Sequence, residues 1–277
     1  MEKLNDVVKK EVTQKKQEAD TGSDGLLVCE KCGKPKQKKL FLHGREEPFI
    51  VRIPCECEER EERERAERER RDAAKAKADK MRKACFALSG FYRDCTFEKD
   101  DGKTPALSSL CQRFADTFDP EEPYGLLLYG NVGTGKSFMS SAIANRVIDN
   151  GFSAFQTDVR YIANLMESSF ERRQSNLDRI LGYDLLLIED LGAQRSTSYM
   201  MEHVYAVIDG RYKTGKPMVV TTNFDAERIA DTPNDEAWCR IFDRLLERCY
   251  PIKFTGQNRR VLKKKEMRKV MEQRLTM

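Results

Sequence analysis

The 277-residue sequence contains no long apolar run. A transmembrane helix needs about 20 consecutive, predominantly apolar residues, and no stretch of this chain approaches that length. The first six residues, Met-Glu-Lys-Leu-Asn-Asp, also lack the apolar segment of a signal peptide. We therefore expect a cytoplasmic protein that makes no contact with a membrane.

The chain also lacks a large excess of charge of one sign. Its formal net charge is +4, which does not by itself indicate nucleic-acid binding, so the distribution of charge matters more. Charged residues make up 35% of the sequence and hydrophobic residues 39%. These values predict strongly polar segments beside a normal globular core, in a chain long enough for one large or two modest domains.

A glycine-rich loop follows a short apolar stretch at residues 126–128. Its spacing, Gly130-x-x-x-x-Gly135-Lys136-Ser137, is the Walker A pattern. Glycines let successive backbone N–H groups face phosphate oxygens, Lys136 can reach the β- and γ-phosphates, and the Ser137 hydroxyl can bind Mg²⁺. The sequence therefore predicts a nucleoside triphosphate site formed by Gly130, Asn131, Val132, Gly133, Thr134, Gly135, Lys136, Ser137 and Phe138.

Two further predicted strands end in polar residues. The apolar run at residues 185–188 is typical of a strand buried on both faces, and it is followed by Glu189 and Asp190. This is the Walker B pattern, in which the first acid holds Mg²⁺ and the second orients or deprotonates the attacking water. A strand at residues 218–222 ends at Asn223, which either contacts the γ-phosphate or the attacking water, or is an ordinary turn residue.

Four of the nine cysteines form two close pairs, Cys29-x-x-Cys32 and Cys55-x-Cys57. Two such pairs can close a tetrahedral zinc site with four sulfur ligands. His43 lies between the pairs and could replace one thiolate, although an exposed loop histidine is the simpler interpretation. Short strands are also expected between the pairs, at residues 40–42 and 48–53. The remaining five cysteines are scattered and are expected to be small core residues.

These patterns divide the chain into four parts. We expect a cysteine-rich zinc-binding module at residues 1–57, a charged helical linker at 58–83, an α/β nucleotidase domain at 84–260 and a basic tail at 261–277. The linker has no apolar face and has four Glu–Arg pairs at i,i+4 spacing: Glu59–Arg63, Glu61–Arg65, Glu64–Arg68 and Glu67–Arg71. It is either a solvated spacer or contacts nucleic acid through residues 75–83, and the tail is either a solvated helix or an arm that contacts phosphates.

Strands and helices alternate through the nucleotidase domain, which predicts a parallel sheet covered by helices on both faces. The predicted helices include one at residues 159–170 and a short one at residues 177–181. A predicted helix at residues 237–249 carries an apolar stripe, which includes Leu246, beside Arg240, Arg244 and Arg248, which recur at i, i+4 and i+8. Solvated arginines beside a core face are common. In a nucleotidase such a row could also supply an arginine finger, a guanidinium that neutralises charge on the γ-phosphate of a neighbouring subunit.

Together these motifs resemble the AAA+ ATPases of the DnaC/DnaI helicase-loader group, and the IstB transposition helpers share them. The resemblance covers roughly residues 86–260. It implies an AAA+ P-loop fold, with Glu189 and Asp190 in Walker B, Asn223 as sensor 1, Arg260 as sensor 2, and Arg244 (or Arg240) as arginine finger. Glu189 departs from the family pattern, which usually has Asp first and Glu second, so its Mg²⁺ geometry and the hydrolysis rate are open.

The resemblance also implies a function. We expect a Mg²⁺-dependent ATPase, weak unless stimulated by oligomerisation or DNA, that loads a hexameric replicative helicase onto single-stranded DNA. The cysteine module is expected to bind the helicase, and ATP to promote a homo-oligomer. The alternatives are an IstB-like regulator of transposition and an ATP-binding adaptor with little turnover. Candidate DNA contacts, which could equally belong to the core of a crossover helix, are Tyr161, Phe170, Arg172, Arg173 and Arg179.

Overall fold

The computed structural model describes residues 24–41, 47–167, 169–192, 198–224 and 236–276. The chain divides into two compact units, Met1–Ala73 and Ala74–Met277. His43, the alternative zinc ligand, and the side chain of Phe170 lie outside the described residues. Within the described residues, no helix is long and apolar enough to span a membrane.

The first unit contains a small antiparallel hairpin. Strand β1 (Gln37–Leu40) pairs with β2 (Phe49–Arg52), from Gln37 opposite Arg52 to Leu40 opposite Phe49. Strand β2 lies within the stretch predicted at residues 48–53, whereas β1 comes earlier than the strand predicted at residues 40–42 and shares only Leu40 with it. The hairpin buries little, because Leu40, Phe49 and Ile50 are all exposed.

A single charged helix, α1 (Glu56–Cys85), follows the hairpin and confirms the prediction of a helix here. Of the four predicted Glu–Arg pairs, Glu67–Arg71 is present, with 3.3 Å between Nη2 and Oε1. Glu61 instead contacts Lys31, 2.6 Å away, so the first turns of α1 are bound to the cysteine pairs. At the other end, Met81 packs against buried residues of the second unit, and Cys85 is itself buried.

The second unit is built on a five-stranded parallel sheet, which confirms the predicted α/β class. Its strands are β3 (Gly125–Gly130), β4 (Ala154–Asp158), β5 (Leu185–Leu191), β6 (Met218–Thr222) and β7 (Cys249–Phe254). The order across the sheet is β4-β5-β6-β3-β7. Strand β6 therefore lies between the strand that precedes the glycine-rich loop and the strand that ends in the two acids.

Helices cover both faces of this sheet and enclose two apolar clusters. They are α2 (Pro105–Asp116), α3 (Lys136–Asp149), α4 (Val159–Met166), α5 (Phe170–Gly182), α6 (Ser198–Thr214) and α7 (Glu236–Arg248). A further helix, α8 (Arg259–Leu275), follows β7, and none of its described side chains belongs to either cluster. Because successive strand residues point to opposite faces, Leu186 and Ile188 enter one cluster while Leu185 and Leu187 enter the other. Burial on both faces explains the uninterrupted apolar sequence of β5.

Three detailed expectations were wrong. The helix predicted at residues 159–170 ends at Met166, and a second helix begins at Phe170 and is longer than the short one predicted at residues 177–181. Leu246, assigned to the apolar stripe of α7, is 41% exposed. Cys239 is also exposed, whereas the other four scattered cysteines are buried.

Candidate nucleotide-binding site

The glycine-rich loop joins β3 to α3 and bends in a way that only glycine adopts easily. Gly130, Gly133 and Gly135 have φ angles of 125°, 81° and 104°, in the region that disfavours a side chain. At Gly130 a Cβ atom would also lie 2.4 Å from the carbonyl oxygen of Phe254. The loop is therefore shaped by its glycines and leaves the start of α3, where backbone N–H groups are unpaired, facing an open cleft.

Lys136, the first residue of α3, is the centre of the loop. Its Nζ donates to the carbonyl oxygens of Gly130 and Asn131, both at 2.8 Å, and to Oδ1 of Asn223 at 2.9 Å. Burial lowers the pKa of Lys136, and the nearby carboxylates of Asp190 and Glu189 oppose that shift. The lysine therefore connects the loop with the end of β6.

Glu189 lies at the end of β5 and is buried. Its Oε1 accepts a hydrogen bond from Gln156 Nε2 at 3.1 Å, and its Oε2 accepts one from the Thr221 hydroxyl at 2.9 Å. Burial raises the pKa of Glu189, whereas hydrogen bonds from Ser137, Gln156 and Thr221 oppose this shift. Each carboxylate oxygen thus has a fixed donor, contributed by β4 and β6 on either side of β5.

Asp190 is placed differently from its neighbour. It is exposed and has a φ of 51°, an unusual conformation for a residue other than glycine. Its backbone N–H donates to the Thr221 hydroxyl at 2.8 Å. Because the same hydroxyl donates to Glu189, Thr221 holds both acids, with Glu189 turned inward and Asp190 toward solvent. Backbone strain of this kind is common at functional sites.

A cleft of about 420 Å³ brings most of the predicted residues together. Its volume is in the range of small-molecule sites. Predicted residues that line it are Val132, Gly133, Gly135, Lys136, Ser137, Phe138, Asp190, Asn223 and Arg260, and they are joined by Phe91 and Tyr92 from the short helical turn Gly90–Asp94 that precedes α2. Gly130 and Asn131 contribute their carbonyl oxygens to Lys136, and the Thr134 hydroxyl donates to Asn131 O at 2.9 Å.

Glu189 is not among the residues that line this cleft. It lies beside a smaller cavity of about 200 Å³, which Asp190, Tyr92, Gln156 and Arg160 also line. Asp190 borders both spaces and therefore stands between them.

Sequence reasoning missed Arg259, which lies beside the loop. Its backbone N–H donates to Gly133 O at 2.9 Å, and its guanidinium contacts Thr104 Oγ1 at 2.8 Å and Asp101 Oδ1 at 3.2 Å. It also missed Gln156 and Thr221 as partners of Glu189. A polar residue within a buried strand is a signal that could have identified both.

The arginines of α7 lie outside this cleft. Arg244 Nε is 3.4 Å from Asp209 Oδ1, and its guanidinium carbon is 4.5 Å from the centre of the Tyr212 ring. Arg240 lies over Tyr205 at 5.8 Å. Within a single chain, the structure does not bring either arginine to the Walker residues.

The candidate DNA contacts on α4 and α5 differ in environment. Tyr161 is packed against the core, with its ring centre 6.1 Å from that of Phe155, which supports the core interpretation for this residue. Arg172 and Arg179 are exposed, and Arg173 is partly buried.

The four paired cysteines form a compact cluster, with one Sγ from each residue and all four atoms within 4.8 Å of one another. The first pair is held in a tight turn, in which Gly33 N–H donates to Cys29 O at 2.7 Å. Backbone N–H groups of Cys32 and Lys31 lower the pKa of Cys29 to about 7. A side-chain hydrogen bond with Cys32, together with burial, raises the pKa of Cys57 to about 11. Four sulfurs this close can all be thiolates only if a cation neutralises them.

A family model described as IstB-like ATP binding protein matches residues 58–267 of the chain. The chain belongs to this family. The match covers the glycine-rich loop, both acids, Asn223, Arg244 and Arg260. The family description therefore indicates ATP binding by this part of the chain.

Curated relatives share this part of the chain at modest identity. Over 206 residues the chain is 24% identical to the replicative helicase loader DnaI of Bacillus subtilis, covering 67% of the chain and 66% of the relative. Over 180 residues it is 26% identical to the replicative helicase loader DnaC of Escherichia coli, covering 61% of the chain and 71% of the relative. The chain thus spans less than two thirds of the length of the Bacillus relative.

A crystal structure of the DnaC helicase loader has the same fold. It superposes with a TM-score of 0.54 at 20% identity and covers 60% of this chain and all of the other. The second unit therefore has the AAA+ P-loop fold, as the motif resemblance implied.

Proposed function

We propose that this protein is an ATP-dependent loader of a replicative DNA helicase onto single-stranded DNA. The observation that carries the proposal is the meeting of Lys136, Asn223 and Asp190 at one cleft, in a chain that also has a cysteine cluster. The names of the two curated relatives support the loader activity. Neither relative is named for transposition, so the loader takes precedence over the transposition regulator.

Lys136 is the residue that we assign to nucleotide binding. Its three present partners are neutral oxygens. Phosphate oxygens are stronger acceptors for an ammonium group because they are charged. Nucleotide binding would therefore let Lys136 exchange a neutral partner for a phosphate, and Asn223 would then be released to contact the phosphate or the attacking water.

Glu189 and Asp190 are assigned to different tasks because their environments differ. The buried and doubly hydrogen-bonded Glu189 has a fixed position, which suits a group that holds Mg²⁺ with Ser137. The exposed Asp190 borders the cleft, which suits a group that orients or deprotonates water. Mg²⁺, when bound, would neutralise charge on the phosphate oxygens.

The cysteine cluster is proposed to bind one Zn²⁺ through Cys29, Cys32, Cys55 and Cys57. All four sulfurs are close enough to share one ion, and thiolates are typical zinc ligands. We assign contact with the helicase to this module, because the AAA+ unit already accounts for the nucleotide.

Arg244 is proposed to act in trans, with Arg240 as the second candidate. It lies outside its own cleft and contacts Asp209 across the surface of α6 and α7. A guanidinium supplied by a neighbouring chain stabilises charge that develops on the γ-phosphate. This role requires an oligomer, which we expect ATP to promote.

The nucleotide assignments are tested with three variants and one control. Lys136→Ala should abolish ATP binding, measured by calorimetry with Mg²⁺. Asp190→Asn should keep binding and lose at least about 100-fold in turnover, within the range assigned to a general base. Arg113→Met, an exposed arginine on α2, serves as the matched control. If Asp190→Asn loses Mg²⁺-dependent binding while Glu189→Gln retains it, the two acids have the opposite roles.

A further inference from the structure

The C-terminal helix α8 begins directly beside the nucleotide cleft. Its capping residue Asn258 accepts a hydrogen bond from the backbone of Arg260, and the Asn258 side chain fills the space beside Gly133. Arg259 then holds the helix start to the loop and to Asp101. The base of α8 is thus firmly attached to the P-loop.

Beyond its base the helix is exposed. Every described side chain from residue 264 to 275 is exposed, including Met267, Met271 and Leu275 at 53%, 40% and 78%. Within the described part of the chain, no ion pair involves Lys264, Lys265, Arg268, Lys269 or Arg274. Their charge is therefore available to a partner outside the chain.

The charge of α8 is unusual for this protein. The helix carries eight basic and two acidic residues, a net charge of +6, whereas the whole chain carries +4. The remaining residues together are therefore slightly acidic. The 30-residue helix α1 is also highly charged, but its 11 basic and ten acidic residues almost cancel. The positive charge of the protein is concentrated in α8.

Such a helix is electrostatically unfavourable by itself. Lys264 and Arg268, and likewise Lys265 and Lys269, are like charges at i,i+4 spacing, which destabilise a helix. A polyanion bound along the helix would remove this repulsion and release its own counterions. A solvated spacer would not need this pattern, as the mixed charges of α1 illustrate.

We propose that α8 is an arm that binds the phosphate backbone of nucleic acid. Its basic side chains contact successive phosphates, and the arm holds the strand beside the nucleotide cleft from which the helix starts. The described part of α8 has no aromatic residue on which bases could stack, so the contact has little sequence preference. The inference deepens the proposed function and rests on it only for the identity of the strand as single-stranded DNA.

The test uses the full-length protein and a fluorescein-labelled 30-nucleotide oligothymidine. Binding is measured by anisotropy over a range of salt concentrations, for wild type and for a variant with Lys264→Gln, Lys265→Gln, Arg268→Gln and Lys269→Gln. Glutamine has nearly the helix propensity of lysine and arginine. The matched control carries Arg60→Gln, Arg63→Gln, Arg68→Gln and Arg70→Gln, four exposed basic residues of α1 outside the stretch 75–83.

We expect the α8 variant to bind the oligonucleotide at least tenfold more weakly than wild type at 0.1 M salt. The slope of log K against log salt should also fall by about 2 to 3, because each lost phosphate contact in single strands contributes about 0.7. The α1 control should match wild type. A duplex of the same length is measured in parallel. Whichever of the two, single strand or duplex, loses more affinity in the α8 variant is the form of DNA that the arm binds.

Unchanged affinity and salt slope in the α8 variant would overturn the proposal, as would a greater loss in the α1 control. If only self-association or helicase capture is lost, α8 is instead a protein-docking face and the proposal is also overturned. ATP binding and helical content of the variant, measured on the same sample, show that it is folded. Helicase capture by the variant separates failure of this arm from failure of the loader function.

Discussion

The two units of this protein are stabilised in opposite ways. Among the described residues of Met1–Ala73, the only buried side chains are those of Cys29 and Cys55, and the hairpin's large apolar residues face solvent. In Ala74–Met277, two apolar clusters fill both faces of the sheet. The first unit depends on its sulfur cluster and on ion pairs with α1, whereas the second is stabilised by its own core. Removal of a metal should therefore affect one unit and spare the other.

The largest expected effect is the loss of zinc. A structural Zn²⁺ contributes about 10–16 kcal/mol of apparent binding free energy at neutral pH, so chelation, or Cys29→Ser with Cys55→Ser, should unfold the first unit. Trp238, the chain's single tryptophan, packs against Phe242 in the second unit and should keep its fluorescence. Limited proteolysis locates the unfolded part, and Cys239→Ser is the control. Retained zinc in the double variant would contradict the assigned ligands.

In the second unit, we expect the largest loss of folding stability from substitution of a polar residue within its core. Arg211 is fully buried, and its guanidinium donates to the carbonyl oxygens of Leu181, Tyr183, Asp184 and Pro217. Burial lowers the pKa of Arg211 to about 10. Arg211→Met leaves several buried carbonyls unpaired and should cost at least about 3 kcal/mol. Urea unfolding followed by Trp238 fluorescence measures this loss, and Arg179→Met should change stability by less than about 0.5 kcal/mol.

A smaller effect is expected at the point where α1 joins the second unit. Asn145 is buried and donates to Cys95 O at 2.7 Å and to Tyr92 O at 3.2 Å, while its own oxygen accepts from Arg82 at 3.1 Å. Asn145→Ala should destabilise the second unit by about 2 kcal/mol. Asn150→Ala removes a hydrogen bond to Ala115 O at the end of α3, the helix that carries Asn145, and should cost less stability. Equal losses in the same urea experiment would show that Asn145 has no special role.

The smallest effect concerns pH. Burial, with a contribution from the positive charge of Arg173, lowers the pKa of His203 below its ordinary value. Protonation therefore favours the unfolded state, so stability is complete above about pH 6.5, the unfolded pKa, and falls as the pH drops below it. The unfolding free energy of the second unit should decrease less between pH 7 and 5.5 in His203→Gln than in wild type. His43→Gln, in the other unit, should leave this dependence unchanged.

The functional motifs were readable from sequence because each sits where a strand ends. Gly130, Glu189 and Asn223 follow or complete apolar runs, and parallel strands bring their carboxyl ends to one edge of the sheet. The order of the strands, which puts Asn223 against Lys136, confirmed that these runs belong to one sheet. The parallel α/β class was predictable for the same reason.

The side-chain partners that could not be predicted from sequence are set by tertiary contacts. Glu61 was expected to pair with Arg65 on its own helix, but Lys31 from the cysteine turn is closer and takes its place. The contacts of Arg259 with Asp101 and Thr104 join residues more than 150 positions apart, which periodicity cannot predict. Leu246 fits the apolar stripe of α7 by spacing, but it is 41% exposed. The local sequence pattern predicts helices and strands and roughly where they end. The partners of individual side chains can be identified only once the tertiary fold is known.

The loader function itself is tested most directly by transfer of a helicase. The hexameric replicative helicase of the host is mixed with circular single-stranded DNA, ATP and either wild-type protein or Lys136→Ala, and helicase that co-purifies with the DNA is measured. Lys77→Ala, an exposed lysine of α1, is the matched control. We predict helicase on the circles with wild type and with Lys77→Ala, and none above background with Lys136→Ala or without ATP. Equal amounts of DNA-bound helicase in all samples would contradict an ATP-dependent loader.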